Sequence, residues 1–197
     1  MKNFKYLGYT ITQNAKSIIE IKKRIAMSKD TFNKMKSIFT NRNITINTKI
    51  NTLKAYVWSI LLYGCECWTL NKDTEKRLEA AEMWFLRRIM KISWTERKSN
   101  TEVIEMTGYK KSLIKTIRKR QMEFLGHICR KEGIEKQVLC GKLEGTRGRG
   151  RQRTTYMDSI NIYATGKTLK NTELIRRTHD REVWRAMVVD VCSRRDT

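Results

Sequence analysis

Residues 110–131 read KKSLIKTIRKRQMEFLGHICRK. At 100° per residue, Leu113, Ile114, Ile117, Phe124, Leu125 and Ile128 fall within one arc of roughly 120°. Lys111, Lys115, Arg118 and Lys119 share an arc of roughly 100° well away from it. The stretch predicts an amphipathic helix with one packing face and one strongly positive face.

The helical period extends upstream. From about residue 15, Ile18, Ile21, Ile25, Phe32, Met35 and Ile38 recur at threes, fours and one seven. A second helix starts near Thr45, where Ile46, Ile50, Leu53, Val57 and Ile60 alternate at fours and threes, and it ends around Gly64. Asn71 can cap a third helix, with Asp73 and Glu75 in its first turn and Leu78, Ala81, Phe85 and Ile89 on its buried face. Ser99-Asn100-Thr101-Glu102 has capping-box spacing for a short helix ending at Gly108. Downstream, residues 154–164 and 171–191 are helical in pattern, with Asn171 as a plausible cap. The chain has no proline, the main helix breaker, which fits an all-α reading. Only residues 4–12 differ. Their aromatic and β-branched types read as a short strand or half a hairpin around Gly8, without an obvious partner strand.

The 197 residues fit one ordinary domain or two small ones. With 40% of them apolar or aromatic, the chain can bury a core. Its 42 Lys and Arg against 20 Asp and Glu leave a net charge of +22. A chain this basic needs a polyanion or an acidic surface, and nucleic acid is the first candidate. The longest nearly apolar run, Ala55 to Tyr63, is far short of the roughly 20 residues that span a bilayer. The N-terminus has no signal-peptide core. Five cysteines at irregular spacing suit a reducing, intracellular setting. No membrane partner is expected.

Catalytic constellations are incomplete. Neither His127 nor His179 sits in a two-histidine metal spacing, no phosphate-binding glycine loop occurs, and the aspartates are scattered singly. His179-Asp180 reads as a polar pair at a helix start. Cys65, Cys67, His127, Cys129, Cys140 and Cys192 could supply zinc ligands, but there is no CxxC, and a helix sets His127 and Cys129 about 200° apart. They read as buried or inert thiols. No catalytic residue, metal or cofactor is expected.

Residues 141–153, GKLEGTRGRGRQR, break the helical pattern as a linker or mobile basic loop. Arg147, Arg149, Arg151 and Arg153 recur at every second position, the same side of an extended chain. Arginine forks suit phosphate, and glycine permits close approach. With Lys142 and the positive face of residues 110–131, they form the expected nucleic-acid contact; a solvated linker, a nuclear-import address or an ordinary solvent-facing lysine stripe is the plain alternative. Helical spacing puts Trp58, Trp84 and Trp184 in the core, while Trp68 and Trp94 lie near element ends.

Seven short motifs occur in a telling order: Phe4-Lys5-Tyr6-Leu7-Gly8; Tyr63-Gly64-Cys65-Glu66 with Trp68-Thr69; Trp84 with Arg87-Arg88; Trp94-Thr95 with Arg97; Gly126-His127 with Arg130; Gly148-Arg149-Gly150-Arg151-Gln152-Arg153; and Asp180-Arg181-Glu182 with Trp184-Arg185. Together they resemble the region after the polymerase palm in non-LTR retrotransposon (LINE) proteins, in the order of the C-terminal part of endonuclease–reverse transcriptases of the RTE (BovB-like) type. Tyr156 stands where that pattern has Trp.

The resemblance implies an organisation. Residues 1–14 would be an end-of-palm β remnant, 15–98 a thumb-like helical domain, 99–140 a basic helical segment, 141–153 the Arg/Gly-rich basic loop and 154–197 a C-terminal helical region. The fold is then all-α, a helical bundle with a short β remnant of the palm. The family's RNA-directed DNA polymerase and endonuclease residues are absent, so the chain is expected to be inactive alone. It would grip template–primer, element RNA or target DNA in the nucleus, with the missing polymerase and endonuclease domains as further partners. Two alternatives stay open: a stand-alone basic nucleic-acid-binding module, and a helical protein that meets acidic protein partners.

Overall fold

Residues 3–12 fold back on themselves. Strands β1 (Asn3–Tyr6) and β2 (Tyr9–Thr12) pair antiparallel, with Asn3 opposite Thr12 and Tyr6 opposite Tyr9. The partner strand missing from the sequence reading lies inside the same stretch. Leu7 and Gly8 both take positive φ, 46° and 78°, the geometry of a tight two-residue hairpin turn. The computed structural model describes residues 3–13, 17–110, 112–141, 150, 155–166 and 170–193. Apart from this hairpin the fold is mainly helical.

The chain separates into two compact units: Met1–Cys65 with Leu70–Ile114, and Glu66–Thr69 with Lys115–Thr197. The division falls inside the segment 99–140 that the sequence reading kept whole, and inside a helix. Hydrophobic period cannot mark such a boundary, because one continuous helix carries it.

In unit 1, α1 (Ile18–Lys34) holds the hairpin through charge. The buried Glu20 carboxylate accepts from the Thr10 N–H at 2.9 Å and from Arg24 Nε at 2.6 Å. Arg24 Nη2 and Lys23 Nζ both donate to the Gly8 carbonyl. Burial alone would raise the Glu20 pKa, but the Arg24 and Thr10 donors outweigh it and hold the carboxyl below its usual 4.5. The face of α1 predicted from Ile18 and Ile25 therefore runs through a buried ion pair, and those two isoleucines are only half-buried.

After the short α2 (Lys36–Thr40), α3 (Ile46–Thr52) starts at Thr45 as expected, and the Thr45 hydroxyl caps it by accepting from the Thr48 N–H. The predicted regular helix is then interrupted. Leu53–Val57 form a π-helical turn before α4 (Trp58–Leu61). Leu53, Val57, Trp58 and Leu61 are all buried across this interruption. Asn71 caps α5 (Lys72–Ile89) in a reciprocal box with Thr74. Ser99 does the same with Glu102 for α6 (Asn100–Thr107), which ends at left-handed Gly108.

In unit 2, α7 (Leu113–Arg130) from Lys115 onward packs with α9 (Tyr156–Thr165), α10 (Asn171–His179) and α11 (Arg181–Ser193). The core holds Met122, Leu125, Cys129, Met157, Ile160, Leu174, Trp184 and Val188. The short α8 (Ile134–Cys140), inside the segment read as basic and helical, has no fully buried residue, but Leu139 and Cys140 pack partly buried against this core. Residues 66–69 join this unit by hydrogen bonds. Gln121 donates to the Trp68 carbonyl, and Tyr156 Oη donates to the Glu66 carbonyl. Asn171 is not a cap. Lys170 takes that position, while the Asn171 side chain links buried Asn161 to Asp158. His179 ends α10, and the Asp180 carboxylate accepts from the Glu182 and Val183 N–H groups, which starts α11.

Candidate nucleic-acid interface

Helix α5 ends in a way that places cations. The Ile92 N–H bonds the Arg87 carbonyl and the Lys91 N–H bonds the Arg88 carbonyl, the pair of bonds of a Schellman ending. Lys91 takes the left-handed position, φ 57°, where glycine is the usual residue. Arg97 follows at φ 47°. Among the described residues only Leu7, Lys91 and Arg97 are non-glycine positions with positive φ, and two of them line the same cleft.

That cleft lies within unit 1 and has a volume of about 930 Å³. Its cations are Lys36, Arg87, Arg88, Lys91, Arg97 and Lys98, and no acidic side chain lines it among the described residues. Phe32 and Trp84 supply an aromatic bed. The Arg88 guanidinium lies 4.3 Å from the centre of the Trp84 ring, and Lys29 Nζ lies 4.9 Å from it. The ring is held by Phe32 at 5.5 Å and Phe85 at 5.2 Å, both edge-on. Such stacking pre-orients a guanidinium and leaves its edge donors for the oxygens of an anion. Arg87 Nη2 donates to the Lys98 carbonyl at 2.8 Å and to Asn100 Oδ1 at 2.9 Å, which ties residues 98–100 to α5. Near by, the buried Lys49 has its pKa pushed down, first by burial and then by the charge of Lys91. Clustered cations repel one another, so this arrangement favours an anion in the cleft.

Unit 2 has a smaller groove of about 470 Å³, lined by Glu123, His127, Arg130, Lys131, Arg181, Trp184, Arg185 and Val188. The sequence separates these residues into two stretches, 123–131 and 181–188; the fold joins them.

No protein family, curated protein or solved structure matches this chain.

The predicted site residues fare unevenly. Lys119 is exposed on α7, 3.9 Å from the Glu123 carboxylate. Arg118 is half-buried, its guanidinium 5.3 Å from the Tyr163 ring centre, and Lys115 is half-buried too. The positive face of α7 is thus partly covered by α9 of the same unit rather than open along its length. Lys111, Lys142, Arg147, Arg149, Arg151 and Arg153 lie outside the described residues. The cleft cations were missed as a site, although Arg87, Arg88 and Arg97 stood in two of the seven motifs. Their convergence depends on the turn at Met90–Ile92, which periodicity does not encode. Trp68, uncertain by sequence, is fully buried.

Among the described residues no group of three or more His, Cys, Asp or Glu side chains is placed to hold a metal ion. Burial, with Cys140 close by, pushes the Cys129 thiol up to about 11, which makes it a poor nucleophile. No helix among the described residues is long and apolar enough to cross a membrane.

Proposed function

We propose that this chain grips nucleic acid through its phosphate backbone, as the thumb and C-terminal part of a non-LTR retrotransposon reverse transcriptase, and works in the nucleus. The observation that carries the reading is the unit 1 cleft, where six cations and no acid among the described lining residues surround an aromatic bed; Lys98 is also paired with Glu96 at 3.1 Å. Arginine stacked on Trp84 is suited to phosphate oxygens, since its fork is held before the ligand arrives. The +22 charge adds long-range attraction that speeds encounter and is sensitive to salt. The seven ordered motifs support the retrotransposon assignment, and the cleft draws on two of them. In this reading the chain holds template–primer without carrying the polymerising or cleaving residues.

The test is fluorescence anisotropy on an RNA–DNA primer–template duplex at low and high salt. The variants are Arg88→Ala with Lys91→Ala, and Arg147, Arg149, Arg151 and Arg153 all changed to Ala. The expected result is binding that weakens steeply with salt, with a slope that flattens by roughly 0.9 log units for each phosphate contact removed. No binding at low salt, or an unchanged slope in the cleft variant, overturns the reading.

A further inference from the structure

Resting on the nucleic-acid reading above, we infer that the groove between α7 and α11 is a second, separate phosphate-binding site, so that one chain holds two stretches of nucleic acid at once. Four observations build the site.

The first is helical spacing. Glu123, His127 and Arg130 sit at i, i+4 and i+7 on α7, with Lys131 just past its end, and Arg181 and Arg185 sit one turn apart on α11. Each helix therefore presents its set on one face. The second is close packing that only glycine allows. A Cβ at Gly126 would lie 2.3 Å from Trp184 Nε1 and 3.0 Å from Arg130 Nη1. With no Cβ there, the Trp184 indole seats on α7 and donates to the Met122 carbonyl at 3.0 Å. That contact brings the arginines flanking Trp184 to the α7 cations.

The third is pre-orientation. Arg130 Nη1 donates to the Thr178 carbonyl at 2.8 Å, which fixes the guanidinium by one of its five N–H donors. The fourth is charge. Arg130, Lys131, Arg181 and Arg185 line the groove with His127, against the single carboxylate of Glu123. That carboxylate is shared with Lys119 at 3.9 Å. Like charges gathered on a packed, glycine-dependent floor favour a polyanion, and Trp184 is too buried to offer a stacking face. The ligand is therefore read by its phosphates, without base selection.

Two sites in two compact units make the chain bivalent. Its affinity for a long strand then exceeds that for a short one by the effective concentration of the second contact.

The test titrates labelled decathymidylate into the full chain under stoichiometric conditions. The variants are Arg181→Ala with Arg185→Ala, Arg88→Ala with Lys91→Ala, and the four changes combined. Lys22→Ala with Lys76→Ala serves as a charge-matched control, since neither residue lines either groove. Circular dichroism checks that each variant keeps its helix, and Arg181→Gln with Arg185→Gln replaces any α11 variant that does not.

Two oligonucleotides per wild-type chain and per control chain are expected, one per chain in each paired variant, and an affinity at least tenfold weaker when all four are changed. A stoichiometry of two that survives the α11 variant overturns the second site. One oligonucleotide per wild-type chain, lost on changing Arg88 and Lys91, also overturns it while the grip through unit 1 stands. No binding anywhere overturns both. Polyglutamate that competes equally well, residue for phosphate, overturns the assignment to nucleic acid.

Discussion

The Tyr109 hydroxyl donates to the buried Glu82 carboxylate at 2.7 Å, across 27 residues of chain. The same oxygen accepts from the Ser112 and Leu113 N–H groups at 3.0 and 3.1 Å. Helix α5 thus supplies the cap for the first turn of α7. A carboxylate is well suited to that position, because a helix N-terminus is positive and its first N–H groups have no partner within the helix.

Replacing Glu82 by Leu strands those donors in the interior of unit 1. The Tyr109 hydroxyl keeps Ser112 Oγ at 2.9 Å and the Ser112 N–H is part-buried, so the buried Leu113 N–H sets the loss, about 1–3 kcal/mol. Glu82→Gln keeps an acceptor oxygen and should lose clearly less. Urea unfolding followed by helical circular dichroism measures both, and equal losses would refute the capping role.

Tyr109 should be the last tyrosine to ionise. Burial first, then the Glu82 charge, pushes its pKa far above the ordinary 10.0. The folded state holds this proton more tightly than the unfolded one. The stability it contributes is therefore complete below pH 10.0 and falls as pH rises beyond it. Ultraviolet titration of the phenolates should leave one of the seven tyrosines unionised until the protein unfolds. In Tyr109→Phe, that alkaline loss of stability should shrink.

Gly126→Ala should destabilise unit 2. The new methyl would sit 2.3 Å from Trp184 Nε1, so the indole or α11 must move. Overpacking of this kind costs about 1–3 kcal/mol, and the indole also loses its bond to Met122. Lower stability together with a changed tryptophan emission is the expected signature; an unchanged denaturation midpoint would show that α11 yields freely.

Lys91→Gly should separate stability from binding. Glycine relieves the left-handed backbone at φ 57°, a gain of roughly 1 kcal/mol. It also removes one cation from the cleft and the like charge beside Lys49. The variant should unfold at higher urea and bind the duplex more weakly, with a shallower salt dependence. A variant that gains stability and keeps its affinity would remove Lys91 from the interface.

The local features were legible as they stand. The helix start at Thr45, the caps Asn71 and Ser99, the ending at Gly108 and the buried positions Leu113, Ile117, Leu125 and Ile128 follow from residue type and helical period, while Ile114 and Phe124 on the same predicted face are half-buried. These are interactions within a few residues, and a linear pattern records them. The hairpin was half legible, since Leu7-Gly8 is a weaker turn signal than Asn-Gly. The π-helical turn at Leu53–Val57 left no mark, because the spacing of its apolar residues also suits a regular helix.

By itself, then, the sequence determined a mainly helical chain with a small β element and a net charge of +22. Tertiary structure decided where the charge gathers. Lys36, Arg87, Arg88, Lys91, Arg97 and Lys98 come from α2, α5 and the turns after it, and they meet only once Phe32, Phe39 and Phe85 have packed. Arg130 and Arg185 meet only because Gly126 admits Trp184. Periodicity reports which side of one helix is apolar; it carries no information about which helix lies opposite, and that choice is made by long-range packing.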